Sequence, residues 1–147
     1  MSHIRKKAIE GIRQGDSFTV SRKFSEQDMV DFAAITKDFN PVHFDRRFSN
    51  AKNFNDRICH GLLVGSILTQ IGGQIGWLAS EMDFKFKKPV YFGDTIECHF
   101  TITDLNGDNR ARAKALFINQ KDEIVLEAYL SGILPGQKEK EIMETIL

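Results

Sequence analysis

The stretch GLLVGSILTQIGGQIG, residues Gly61–Gly76, decides the fold class. It is apolar on nearly every side, and a helix of that kind is buried rather than laid on a surface. A membrane span is the rival reading. Ser66, Thr69, Gln70 and Gln74 interrupt the stretch, and it falls short of the about 20 apolar residues a span needs. Gly65, Ser66, Thr69, Gly72 and Gly73 are small, so another backbone can approach this helix closely.

Downstream of it the pattern changes to a period of two. Met82–Lys88 alternates, with Phe84 and Phe86 on one face and Lys85 and Lys87 on the other. Thr95–Thr103 alternates through Ile96, Cys98, Phe100 and Ile102, and Arg110–Asn119 through Ala111, Ala113, Ala115 and Phe117. Such alternation marks strands with one buried face. Asn106-Gly107 is a hairpin turn signal, Lys121-Asp122 marks a second turn, and Glu123–Leu134 reads as a last strand closed by Pro135-Gly136. Residues 138–147 suit a short charged helix or a frayed tail.

Upstream, Ser17–Phe24 reads as a first strand with Phe18, Val20 and Arg22 on one face. Ser25 resembles a helix N-cap, with Asp28 completing a capping box. Met29, Val30, Phe32, Ala33 and Ile35 give the apolar stripe of the helix that follows. Pro41 has no N–H and turns Asn40 away from helical geometry, so the helix ends near Lys37 or Asp38. Residues 45–59 are polar and irregular.

These elements predict an α+β fold: a curved antiparallel sheet of about five strands wrapped around a central hydrophobic helix. With 147 residues and no linker, repeat or low-complexity run, the chain reads as one domain over residues 1–147, with a core over 15–134 and an extension at each end. Sheet edges invite pairing, and with the small-residue helix they predict a homodimer.

Composition narrows the function. Hydrophobic residues make up 41% and charged residues 27%, and 20 basic side chains balance 20 acidic ones. No bulk charge calls for a nucleic acid or a membrane as partner. Twelve Phe residues suggest aromatic packing. Cys59 and Cys98 lack a metal-type or redox-type spacing and fit a reducing compartment. Cytoplasmic placement follows, with the mitochondrial matrix as the alternative because Arg5, Lys6, Lys7 and Arg13 make the N-terminal segment basic.

The chemistry concentrates between residues 38 and 61. Asp38 and His43 lie five residues apart around Pro41, in a loop held by a helix. A carboxylate and an imidazole can exchange protons with one water near neutral pH. His60-Gly61 opens the apolar helix, where free N–H groups can hold developing negative charge on an oxygen, and Gly61 presents no side chain to a substrate. Ser66 and Thr69 are either hydrogen-bond donors inside the helix or small packing residues; with Asn40, which suits shaping the loop, they become candidates for substrate contact only through a family resemblance. Cys59 is either a thiolate nucleophile or a buried thiol. The sequence has no phosphate-binding glycine loop, no GxSxG elbow, and no metal-ligand spacing among His3, His43, His60 and His99. No metal is expected.

The run Asp38-Phe39-Asn40-Pro41-Val42-His43, followed by His60-Gly61-Leu62-Leu63 and later by Phe84-Lys85-Phe86 to Pro89-Val90 with Gly93-Asp94, resembles the MaoC-like branch of the hot-dog fold. The similarity runs from about Gly15 to Leu134. It implies an enzyme like the R-specific enoyl-CoA hydratases, which add water to a trans-2-enoyl thioester and run the reverse dehydration. Asp38 and His43 would then be the catalytic pair, with the division of proton transfers between them open. Gly61 would polarise the thioester carbonyl. Some members carry a Ser about two turns into the central helix, where this chain has Thr69, with Ser66 one turn earlier. No cofactor is implied beyond coenzyme A or acyl carrier protein as the carrier of the substrate. The alternatives are a 3-hydroxyacyl-acyl-carrier-protein dehydratase and a non-catalytic acyl-thioester-binding module.

Overall fold

The computed structural model describes residues 1–146. Among them the chain forms six α-helices, one 3-10 turn and five strands. In chain order these are α1 (His3–Glu10), β1 (Ser17–Lys23), α2 (Glu26–Thr36), the turn Pro41–His43, α3 (Arg46–Ala51), α4 (Gly61–Gly65), α5 (Ile67–Ile75), β2 (Leu78–Phe86), β3 (Thr95–Leu105), β4 (Arg110–Ile118), β5 (Ile124–Ile133) and α6 (Gln137–Thr145).

All five strands join one sheet in the order β1-β3-β4-β5-β2, and every neighbouring pair is antiparallel. The central strand β4 turns Ala111, Ala113 and Ala115 inward. Short side chains there leave room for the sheet to close around a helix. That helix is α5, whose Ile67, Leu68, Ile71 and Ile75 are buried with Ile96, Cys98, Phe100, Ile102 and Phe117 of the sheet. This is the α+β arrangement expected from the sequence.

The central helix differs from expectation in two ways. It is not one helix over Gly61–Gly76 but two segments, α4 and α5, that meet at Ser66. The Ser66 hydroxyl donates to the Leu63 carbonyl at 2.5 Å and the Thr69 hydroxyl to the Ser66 carbonyl at 2.6 Å. Hydroxyls bonded back onto a helix's own carbonyls bend it. The Thr69 N–H accordingly reaches Ser66 O, one residue tighter than an α-helix. Nor is the pair apolar and covered all round: Leu62 is 59% exposed, and Thr69 and Gln70 face outward.

Two further elements sit at the ends. The basic N-terminal segment folds as α1, anchored by Ile4 and Ala8 and by Arg5, which donates to the Gln74 and Gly73 carbonyls at the end of α5. With only two buried residues among charged ones, α1 carried almost no periodic signal. The charged C-terminal stretch is helical as α6, and its Met143 joins the core. Among the described residues no helix is long and apolar enough to cross a membrane.

Candidate active site

The site is built from a helix end outward. Ser25 and Asp28 form the expected capping box at the start of α2. The helix ends at Lys37, which takes a left-handed conformation at φ 64°. From there side chains replace a regular backbone ladder. The Asp38 N–H donates to Thr36 Oγ1 at 3.2 Å, and the Asn40 N–H to Asp38 Oδ1 at 3.1 Å. The Val42 N–H donates to Asn40 Oδ1 at 3.1 Å, which caps the turn Pro41–His43. The buried Ser49 hydroxyl then fastens the Val42 carbonyl at 2.6 Å.

This chain of bonds aims His43 at Asp38. The His43 ring is buried, and its Nδ1 lies 2.8 Å from the Ile58 carbonyl. A carbonyl only accepts, so Nδ1 carries the proton and Nε2 of the neutral ring is bare. Nε2 faces Asp38 Oδ2 at 3.8 Å. That gap is too wide for a direct hydrogen bond, yet one water beside it reaches both atoms at ordinary hydrogen-bond distance. Burial pushes the His43 pKa below 6.5 and the nearby His60 adds to this, while the Ile58 carbonyl and Asp38 oppose it. The neutral form therefore dominates at neutral pH. Asp38 is half exposed, so its carboxylate stays within reach of solvent and substrate.

His60 completes the cluster. It is 1% exposed, immediately precedes α4, and places Nε2 3.0 Å from the Asp38 main-chain carbonyl. Its ring stacks on that of His43 with centroids 3.8 Å apart and planes 27° apart, and Phe32 packs against it at 5.0 Å. The sequence reading treated His60 only as the opener of a helix. The available signal was the His-Gly pair ahead of an apolar run, but nothing in the spacing tied it to Asp38, 22 positions away.

Asp38, His43 and His60 bring one ligand-type atom each within 4.8 Å of the others. Among the described residues, each ring engages one nitrogen with a main-chain carbonyl and keeps the other free of a protein hydrogen bond.

A cleft of about 720 Å³ opens over the cluster. It is lined by Asp38, His43, His60 and Gly61, by the apolar Phe54, Val64, Phe86 and Val90, and by Lys87 and Lys88. The glycine at 61 answers to a close approach: a Cβ there would fall 2.6 Å from Phe86 Cε1. Asn40, Ser66 and Thr69 do not line this cleft. Asn40 shapes the loop, Ser66 bonds its own helix, and Thr69 borders a separate apolar cavity of about 230 Å³ with Gly72 and Met82. Cys59 lines the cleft, but burial pushes its thiol up to about 12, so of its two readings the inert thiol holds.

The comparisons with known proteins bear on the family and the fold. Residues 10–124 match the model of the MaoC like domain. A protein of Rhodospirillum rubrum named (R)-specific enoyl-CoA hydratase is 28% identical over 133 residues, covering 88% of this chain and 92% of the relative. A mitochondrial 3-hydroxyacyl-[acyl-carrier-protein] dehydratase of Arabidopsis thaliana is 33% identical over 87 residues, 58% of this chain and 52% of its own. The solved structure of the Aeromonas caviae (R)-hydratase superposes with a TM-score of 0.79 at 27% identity, over 86% of this chain and 99% of that one. With a domain match across most of its length and hydratases and dehydratases among its relatives, the chain belongs to the MaoC-like family of hot-dog-fold hydro-lyases.

Proposed function

We propose that this protein hydrates trans-2-enoyl-CoA to R-3-hydroxyacyl-CoA and catalyses the reverse dehydration, with Asp38 and His43 holding the reacting water. The observation that carries the reading is the bare Nε2 of a buried, neutral His43 facing the Asp38 carboxylate at 3.8 Å. The R stereochemistry follows the named activity of the Rhodospirillum rubrum relative.

In the hydration direction His43 Nε2 accepts a proton from the water as its oxygen bonds to the β carbon. Asp38 accepts the water's second hydrogen bond and orients it. The electron pair of the double bond moves to the α carbon and on to the thioester oxygen. N–H groups at the start of α4, Gly61 first, face that oxygen. The proton on His43 then passes to the α carbon on the same face, which restores the neutral ring. Water has been added across the double bond and the protein is unchanged.

Coenzyme A is the carrier in the first reading. Similarity to the Arabidopsis dehydratase supports a second, in which acyl carrier protein presents the same acyl group. We also propose a homodimer formed through β2. This edge strand leaves Met82 and Phe86 exposed on one face, and Phe86 shares the cleft lining with the exposed Leu62.

The test is loss of enoyl-thioester absorbance with crotonyl-CoA and crotonyl-acyl carrier protein, followed by chiral analysis. R-3-hydroxybutyryl-CoA as product supports the first reading. Turnover of the protein-bound thioester alone supports the second. Turnover of neither would overturn both.

A further inference from the structure

We propose that His60 is a positioning residue that holds Asp38 and His43 in register with each other and with the start of α4. The inference rests on the catalytic reading of that pair and adds a third residue to it.

Asp38 sits where the chain has left α2 through a left-handed residue and not yet entered the next turn. Among the described residues, its other hydrogen bonds are local, to Thr36 and Asn40. The bond from His60 Nε2 to the Asp38 carbonyl is therefore the one that ties this main chain to a distant element. It also fixes the tautomer: Nε2 must carry the proton, leaving Nδ1 bare.

His43 is constrained by the same ring. Its Nδ1–H to the Ile58 carbonyl fixes one end of the imidazole, and the stacked face of His60, 3.8 Å away, fixes its plane. Rotation of His43 would swing Nε2 away from Asp38. Both groups of the pair are thus referred to one side chain, which in turn precedes Gly61.

A purely structural side chain would not need these features. His60 Nδ1 is buried, and among the described residues it has no hydrogen-bond partner. Buried polar atoms are nearly always paired. A Phe or Leu would fill the space beside Phe32 without leaving a nitrogen unpaired. What such a residue would lack is the N–H for Asp38. The titratable groups that share the cleft with His43 are Asp38, Cys59, His60, Lys87 and Lys88.

The experiment compares His60→Ala, His60→Gln and His60→Phe in steady-state hydration of crotonyl-CoA. Gln restores an N–H at similar reach, and Phe restores the aromatic face. His60→Ala is expected to lower kcat by about 10²-fold, the scale of a misplacement near 1 Å, with KM unchanged. Gln and Phe each recover part of that loss. Wild-type kcat in His60→Ala, a loss confined to KM, or no recovery in either conservative variant would overturn the proposal.

Long-range ¹H–¹⁵N spectra of the wild-type protein give a second measurement that needs neither turnover nor a folded variant. The expected result is His43 protonated at Nδ1 and His60 at Nε2; the opposite tautomer on either ring would overturn the proposal. Absence of wild-type turnover would instead sink the hydratase reading, leaving this measurement to judge the geometry.

Discussion

The Asp38 carboxylate and the His43 imidazole face each other across 3.8 Å, one half exposed and the other buried. The two groups are therefore placed to act jointly on one water. Asp38→Asn and His43→Gln should each lower kcat by about 10²–10⁴-fold, the usual weight of acid–base catalysis. KM for the thioester should change little, since neither group carries the carrier-binding surface. Asp38→Asn should also leave the folding free energy within about 0.5 kcal/mol, as surface changes do. Steady-state kinetics with a parallel denaturant titration check both halves. A folded variant with most of its turnover would remove the catalytic assignment.

The buried state of His43 sets a pH dependence of definite sign. Its folded pKa lies below the 6.5 of an unfolded chain, chiefly through burial. Below 6.5 the unfolded state therefore binds more protons. The stability this group contributes is complete above pH 6.5 and is lost as pH falls through the folded value. The acidic limb of kcat/KM should have its midpoint below 6.5, because the base stays unprotonated that far. Thermal melts and rate profiles from pH 8 to 5 test this. His43→Gln should flatten its share of the melting shift, and a limb centred above 6.5 would contradict the mechanism.

Much of this site was legible from residue types. Pro41 announced the end of α2, Ser25 and Asp28 announced its start, and both signals are local, so tertiary structure did not override them. Strands β3, β4 and β5 were equally plain because one face is buried and the other solvated, whereas β2, exposed along nearly its whole length, runs Leu78–Phe86 and not Met82–Lys88. The break at Ser66 was not, since it depends on two hydroxyls choosing helix carbonyls over the cleft. His60 was missed for another reason: its partners, Asp38 and His43, become neighbours only after the loop folds back. Helix α1 escaped notice because it is held by Arg5 and two small contacts, not by an apolar stripe.

Gly61 and Phe86 test the shape of the cleft. A methyl group at position 61 would meet the Phe86 ring at 2.6 Å. Gly61→Ala should cost about 1–3 kcal/mol of stability, as overpacking does, and nearer the lower figure because the exposed Phe86 can swing aside. It should lower kcat/KM as well, since the displaced ring moves within the cleft wall. Adding Phe86→Ala removes the clash, so the double variant should be less destabilised than the sum of the two singles. A double-mutant cycle in urea measures this coupling. Strict additivity would show that the two positions do not touch.

The two thiols make a simpler prediction. Burial pushes both Cys59 and Cys98 up to about 12, so neither is a thiolate at neutral pH. A thiol-reactive chromogenic disulfide should label neither in the native protein at pH 8 and both after denaturation. Fast native labelling of Cys59 would restore the nucleophile reading, because Cys59 lines the cleft beside His60.

The edge strand β2 carries the last prediction. Its partner on one side is β5, and its other side is unpaired among the described residues. Open strand edges are normally protected by charge, proline or a covering element. This one carries the exposed charges Glu81, Asp83 and Lys85, yet on its other face Met82 and Phe86 stay exposed, with Phe86 over Gly61 at the start of α4. A second copy of the chain laid antiparallel on the same edge would pair the free backbone groups and cover the apolar side chains together. Met82→Lys places a charge in the middle of that contact and leaves the core intact, because Met82 is already 43% exposed. Sedimentation velocity should show a dimer for the wild-type chain and a shift toward monomer for Met82→Lys, with the circular dichroism spectrum retained. A wild-type chain that sediments as a monomer at every concentration would refute the dimer, and an unshifted variant dimer would place the interface elsewhere.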